Sequence, residues 1–427
     1  MFEIHSPLPA VDPSRVEKAL RLLHRSLGPS KIITSKDGCE PFARDESEAV
    51  GRTPDAVVLA STPKDVVLTL DCARRAGVPV TPRCAGTGRT GGAVPLRGGI
   101  VLSTLGMGDI KEINHHDRVA VVQPGVILEQ FHDAVEREGL FYPPDPNSRA
   151  SCGLGGNIAE NAGGPRAVKY GVTRDYVLGV EMAAMTGPLI RMGRRTVKGV
   201  VGYDMTGLFV GSEGTLGVVT EATLALLHKP DMVLTLLAIF PTPHEAGRAV
   251  AAIFRSRICP RCVELMDAGA LQAVRAQGVG IDPLAGALLL IEVDGHPAVV
   301  AEEAEGVRKI LAEAPADEVH EAKNAQEAAG LAAARRTALS AVARVSPTTI
   351  LEDTTVPRSH LAETFAEIER LKAKYQVRVA TFGHAGDGNL HPTAVTDERN
   401  RKEIENVHAF FAELYEKVLA IGGTVSG

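Results

Sequence analysis

The chain has 427 residues, 44% apolar and 23% charged, with a formal net charge of −6. That length allows two or three domains with separate cores, and the acidic balance without a basic arm argues against nucleic acid as the main partner. No signal-peptide pattern opens the chain and no run of ~18 apolar residues offers a membrane span, so a reduced, cytoplasmic setting is expected.

Taken in order, a helix is expected from Pro13 to Leu27, ended by Gly28-Pro29, and then a short strand at Lys31-Ile32-Ile33-Thr34. Ala56–Ala60 reads as a buried strand. Thr62-Pro63-Lys64-Asp65 then supplies an N-cap, a first-turn proline and a first-turn acid. That helix runs to Ala76 and stops at Gly77, and Val78–Thr81 returns as a strand. This β-α-β unit delivers the chain to the first of three glycine clusters, Pro82–Ala93, whose nearly bare backbone can approach a pyrophosphate closely. Gly86 to Gly91 satisfies G-x-G-x-x-G, but the dinucleotide fingerprint also needs a helix opening directly from it. Ala93–Leu102, with a proline, a glycine pair and a β-branched run, suits a turn and a strand instead. A Rossmann site for NAD is therefore disfavoured.

Strands at 100–104 and 119–123 follow, then a helix of about Val126–Glu138. The second cluster spans Tyr142–Ser148, Cys152–Asn157 and Asn161–Gly164. Small residues and little charge suit backbone packed against a flat ligand, with a structural turn as the alternative. The third cluster, Gly211–Thr220, enters a strand. Beyond Pro230 a strand at 232–240, a capped helix from Thr242-Pro243, a strand at 287–293 and a helix at 297–313 read as an α+β domain, its helices on one face of an antiparallel sheet. A helix at 325–343, strands at 349–353 and 376–383, a helix at 359–374 and a last helix at 400–420 complete it. The expected domains are a lead-in (1–49), a cofactor domain (50–230) and a substrate domain (231–427).

Asp387-Gly388 between strand-like runs is a two-residue hairpin signal, and counting outward pairs His384 with His391. Opposed β-carbons lie about 4.5–5.5 Å apart, so the two imidazoles either share a metal ion or small substrate, or are simply solvated. Arg335 is either a surface charge or a bidentate clamp for a carboxylate. Six cysteines follow no disulfide framework, and Cys259 and Cys262 read as a reduced structural pair rather than a metal or redox site. Nucleophile-elbow and Walker motifs are absent.

Together these motifs resemble the flavoproteins of the vanillyl-alcohol-oxidase (PCMH-type) fold, in the D-2-hydroxyacid dehydrogenase branch that includes glycolate oxidase catalytic subunits. The resemblance runs from about residue 35 and rests on Pro82–Ala93, Val122–Gly125, Pro144–Gly164, Lys169–Asp175, Gly207–Leu224 and Gly383–His391, in that order. It implies an α+β chain: a PCMH-type FAD-binding domain of two α/β subdomains, then a ferredoxin-like cap over the isoalloxazine. Arg83, Cys84, Ala85, Gly86, Thr87, Gly88, Arg89, Thr90 and Gly91 would cradle the FAD pyrophosphate. Asp145, Pro146, Asn147, Ser148, Ser151, Gly155, Gly156, Asn157, Asn161, Ala162 and Gly163 would line the same cofactor, as would Glu213, Gly214, Gly217, Val218 and Val219. Arg335, His384 and His391 would be catalytic, with His384 and His391 also ligands to zinc or another divalent metal.

The resemblance further implies oxidation of a small 2-hydroxyacid, hydride passing to non-covalent FAD. Electrons would leave through an iron–sulfur subunit and a second FAD-type subunit, with the protein cytoplasmic or peripheral at the inner face of the membrane. A non-catalytic FAD-binding subunit is the alternative. Cys84 stands where relatives commonly have glycine, and Ala332 where they often have tryptophan. The family pattern continues past Gly427 with Glu-His-Gly, which carries a third metal ligand and a candidate base, so the substrate domain is read as truncated at that end.

Overall fold

The computed structural model describes residues 8–47, 49–278 and 285–425; Ser426 and Gly427, where the truncation was read, lie outside them. The chain forms two compact units: the first holds residues up to Gly163 and Gly171–Lys229, the second Gly164–Tyr170 and the residues from Pro230 on.

In the first unit, strands β1 (Ile32–Ile33), β2 (Ala56–Leu59), β3 (Val80–Arg83) and β4 (Ile100–Ser103) form a sheet in the order β1-β2-β4-β3. β4 is flanked in parallel by β2 and β3, while β1 pairs β2 antiparallel. Helix Pro63–Ala76 starts at a capping box between Thr62 and Asp65 and ends on Gly77 in the left-handed region. Its Val66, Leu70 and Ala73 join Ala19 and Leu23 of helix Pro13–Leu27 against Ala56, Val58, Ile100 and Leu102. The parallel link from β3 to β4 contains no helix, so the first glycine cluster is an open loop between neighbouring strand ends.

A second sheet joins β5 (Ile110–Asn114), β6 (Val119–Val122), β8 (Val177–Ala183), β9 (Leu189–Gly193) and β10 (Val218–Ala225) in the order β5-β6-β10-β8-β9, with every pairing antiparallel. A ribbon of β7 (Leu140–Phe141) and β11 (Leu227–His228) stands apart. The second cluster contains a short helix, Leu154–Glu160, where no regular element was expected.

The second unit is built on one antiparallel sheet of β12 (Met232–Phe240), β13 (Cys262–Asp267), β14 (Ala287–Gly295), β15 (Glu318–Glu321), β16 (Thr348–Leu351), β18 (Val379–His384) and β19 (Asn389–Thr396). Their order is β15-β12-β14-β13-β18-β19-β16, and β17 (Thr354–Thr355) pairs with β19. Strand alternation sends Leu236, Ala238, Val263, Leu265, Leu289 and Ile291 into a core with helices Pro243–Arg255, Pro297–Glu313, Leu361–Tyr375 and Arg401–Ala420. Met266, Leu288, Leu290, Ala380 and Phe382 point the opposite way, to helices Ala268–Arg275 and Ala338–Val342. Helices on a single face were expected; both faces are covered, because the central strands are apolar at successive positions rather than alternating. The single helix expected at 325–343 is broken at Thr337 into Ala325–Arg336 and Ala338–Val342.

Asp267 caps helix Ala268–Arg275 by accepting the Ala270 N–H, while its other carboxylate oxygen is buried without a partner among the described residues. Burial pushes its pKa from 3.8 up to about 6. Because the folded value is the higher one, stability from the protonated form is complete below 3.8 and is lost as pH rises through 6. Asp267→Asn keeps the capping oxygen and removes the charge. It is expected to be more stable than the parent at pH 8, by up to about 3 kcal/mol, and no more stable at pH 4. Guanidinium melts at the two pH values check this; an equal difference at both rules out the charge as its source.

Candidate active site

Within the first unit the three glycine clusters converge. Glu213 N–H donates to Ala159 O and Gly211 N–H to Ile158 O, at 2.9 and 3.0 Å, which ties the third cluster to helix Leu154–Glu160. Thr90 Oγ1 donates to Glu160 from the first cluster. Burial, then the charge of Glu213, raises the Glu160 pKa, and the Thr90 bond only partly offsets them. Arg174 bonds the carbonyls of Gly207 and Val210, and its N–H donates to Asn161 Oδ1 at 2.9 Å.

Cys84 turns its thiol toward the Pro124 carbonyl, 3.3 Å away, and burial pushes it up to about 11, so it is an inert filler beneath the loop. Arg83 donates to the Arg44 carbonyl at 2.7 Å and lies against Gly86, whose φ of 73° suits glycine. Arg89 makes an exposed pair with Glu46. Asp145, Asn157, Val218 and Val219 are buried, whereas Asn147, Ser151 and Glu213 are exposed.

The cradle fits a nucleotide cofactor on two observations. Asn157 Nδ2 and Ser212 Oγ are buried without hydrogen-bond partners among the described residues. A β-carbon at Gly156 would meet only the Cys84 β-carbon, at 3.9 Å.

In the second unit one sheet face collects the polar candidates. β13 and β18 pair Leu265 with Gly383 and Met266 with Phe382, which sets Glu264 across from His384. Glu264 Oε1 accepts from His384 Nδ1 at 2.6 Å. Arg335, at the last turn of helix Ala325–Arg336, brings Nη2 to 2.8 Å from Glu264 Oε2 and lays its guanidinium 5.2 Å from the Phe382 ring centre. Arg335 and Glu264 are each 3% exposed, so the solvated-charge reading of Arg335 is excluded. Nη2 lies off the line of a hydrogen bond, and with Nε it lacks a hydrogen-bond partner among the described residues.

The expected hairpin register is wrong by two residues. His384 pairs with Asn389, and His391 with Phe382. A two-residue I′ turn needs positive φ at both central positions, and of Asp387 and Gly388 only Gly388 has it, at 85°. Gly386 N–H is instead drawn to the Val263 carbonyl at 3.0 Å and Asp387 N–H to His384 O at 3.2 Å, opening a four-residue loop. The histidines become diagonal neighbours on one face, ring centres 5.2 Å apart and planes at 89°.

His391 Nδ1 is bound to Asp353 as His384 Nδ1 is to Glu264, so both rings keep Nε2 for other partners. Burial pushes Glu264 up, but Arg335 and His384 outweigh it and hold the carboxyl below its ordinary range. Burial pulls His384 down, and Glu264 more than restores it. Burial raises Asp387.

Among the described residues no group of three or more His, Cys, Asp or Glu is arranged to hold a metal ion; the chain brings two imidazoles, short of a closed protein set. Sequence reasoning missed Glu264 and Asp353. The signal for Glu264 was an acid inside the apolar run Cys262-Val263-Glu264-Leu265-Met266, which demands a buried partner.

Residues 54–193 match a model described as FAD binding domain, and residues 229–427 one described as FAD linked oxidases, C-terminal domain. The glycolate oxidase subunit GlcD of Bacillus subtilis (strain 168) is 44% identical over 94% of this chain and 85% of its own length. A D-lactate dehydrogenase of Anaerostipes hadrus is 32% identical over 98% and 89%. A p-cresol methylhydroxylase structure superposes with a TM-score of 0.81 at 18% identity, covering 98% of this chain and 90% of that one, and shows the PCMH-type fold. Among the described residues no helix is long and apolar enough to cross a membrane. With an FAD-binding region, an oxidase C-terminal region and a relative 44% identical over 85% of its own length, the chain belongs to the FAD-linked oxidase family of oxidoreductases.

Proposed function

We propose that the chain oxidises a short D-2-hydroxy monocarboxylic acid, glycolate or D-lactate, to the 2-oxo acid. The observation that carries this is the buried Arg335 guanidinium, with Nε and Nη2 unmatched, on the sheet face that carries His384 and His391. A guanidinium fork recognises a carboxylate through two parallel bonds. The cluster carries three acids, Glu264 against Arg335, Asp353 against His391 and Asp387 beside the two histidines, which favours a substrate with one carboxylate over 2-hydroxyglutarate with two.

Arg335 would hold the carboxylate. His384 and His391, each with Nδ1 tied, keep Nε2 to accept the hydroxyl proton or to hold a divalent cation such as zinc. Such a cation would lower the pKa of the substrate hydroxyl and help fix it in place. FAD, held non-covalently by residues 83–91, 145–163 and 213–219, supplies the acceptor for the α-hydrogen. The cysteines have no iron–sulfur spacing. For the onward path of the electrons we propose an iron–sulfur subunit and a second FAD-type subunit; the B. subtilis relative is itself named as a subunit. A cytoplasmic protein, peripheral at the inner face of the membrane through those partners, follows from this.

The test is anaerobic. FAD-loaded protein should lose its yellow colour on addition of glycolate or D-lactate, and respond weakly to D-2-hydroxyglutarate. Protein that holds FAD but stays oxidised with all three acids would instead be a non-catalytic cofactor subunit. For the cradle, Gly156→Leu should fold as the parent does, since its β-carbon makes only an ordinary contact, 3.9 Å from the Cys84 β-carbon, and bind FAD at least ~100-fold more weakly, about 2.7 kcal/mol. Fluorescence titration with FAD checks it; unchanged affinity removes Gly156 from the site.

A further inference from the structure

Glu264 is a carboxylate on a central strand, closed off from water, with each oxygen committed to a different functional group. Oε1 lies 2.6 Å from His384 Nδ1 and Oε2 lies 2.8 Å from Arg335 Nη2. The two partners come from distant parts of the chain, a hairpin strand and the end of a helix. We propose that Glu264 is the positioning residue that couples the carboxylate-binding half of the site to the imidazole half, by holding Arg335 and His384 on one carboxylate. This rests on the function proposed for the site.

The chemistry follows from what each group can donate. An ionised carboxylate only accepts, so the His384 proton must sit on Nδ1, and Nε2 is left with its lone pair. The same carboxylate holds the guanidinium by charge while leaving Nε and Nη2 without hydrogen bonds, so that a substrate carboxylate can take them. Phe382 supports the guanidinium from the sheet, with its ring centre 5.2 Å away. One residue therefore sets both the tautomer of the imidazole and the seat of the arginine.

Glu264→Gln tests this, because an amide has a single acceptor oxygen and cannot accept from both partners. Arg335 has no acceptor, so the amide oxygen turns to Arg335 and the NH2 to His384. His384 must then accept on Nδ1 and carry its proton on Nε2, where it is no longer a base or ligand. His391 answers to Asp353 and should not change, which provides an internal control.

Nitrogen-15 spectra of histidine-labelled, FAD-loaded protein at alkaline pH read the tautomers directly, with His384 assigned by its loss in His384→Gln. The expected result is Nδ1–H in the parent and Nε2–H in Glu264→Gln, accompanied by a fall of about 10²-fold in the limiting rate of anaerobic flavin reduction. His384 remaining Nδ1–H in the variant, or reduction at the parental rate, overturns the proposal. If the single variant does not fold, Glu264→Met/Arg335→Met removes the buried charges together. His384 without its acceptor should again carry Nε2–H, and a retained Nδ1–H overturns the coupling. If the parent's flavin is not reduced by any hydroxyacid, the proposed reaction fails, while the tautomer result still decides the role of Glu264.

Discussion

Arg335→Met is expected to lower kcat/KM for glycolate or D-lactate oxidation by about 10³-fold, with most of the loss in KM. Two charge-assisted hydrogen bonds to a desolvated carboxylate are worth roughly 1.5–3 kcal/mol each, so losing both costs about 4 kcal/mol, close to three decades. The loss falls on KM because the carboxylate is bound alike before and during hydride removal. Arg335→Lys keeps the charge but not the planar fork or the stacking over Phe382, and should recover only part of the loss. The measurement is the rate of anaerobic flavin reduction against substrate concentration, with FAD content read from absorbance. A KM shift below tenfold would mean that Arg335 serves only as the counter-ion of Glu264. Both variants should remain yellow, because Arg335 belongs to the second unit and residues 83–91, 145–163 and 213–219 to the first.

How much of this could be read in advance depended on whether local chemistry or tertiary contact decided each element. The helices at Thr62-Pro63 and Thr242-Pro243 were legible because cap, proline and first-turn acid act within one turn of backbone. The absence of a helix after Gly91 was legible for the same local reason, and it turned an apparent dinucleotide fingerprint into an open loop. Strand β13 was missed because Cys262–Asp267 is buried at every position, so no alternation marks it. Helix Leu154–Glu160 was missed because Gly155 and Gly156 oppose it by propensity, and it is held by tertiary bonds such as Gly155 N–H to the Pro124 carbonyl at 2.7 Å. The hairpin shows the boundary most clearly. The residue types at its turn were read correctly, but the register was set by a contact from Gly386 to Val263 on another strand, which no local rule contains. Glu264 was missed for a related reason: the apolar run around it marks a buried acid, but the two partners that give it its importance are distant in sequence.

Gly388→Ala is expected to be more damaging than the other single-methyl change in the hairpin loop, Gly386→Ala. Gly388 sits at φ 85°, a region that costs an L-residue about 1–2 kcal/mol. A β-carbon there would also overlap the Val356 carbonyl oxygen. That oxygen belongs to backbone, so the overlap cannot be relieved by a rotamer change. Val356 N–H donates to the Gly388 carbonyl at 3.0 Å, and this bond must lengthen if the loop moves away. Strain and a lost bond together come to about 3–4 kcal/mol. The loop also sets the strand end that carries His384, so a shift of ~1 Å there costs catalysis as well, on the order of 10²-fold. By contrast, the atoms nearest a β-carbon at Gly386 belong to the Val168 side chain, no closer than 3.0 Å, rather than to backbone, and Gly386 does not have positive φ. Gly386→Ala should therefore cost less in both readouts. Guanidinium melts and flavin reduction on the two variants give the comparison. Equal effects would mean that the turn tolerates a side chain at Gly388, and that the hairpin geometry is not what places His384.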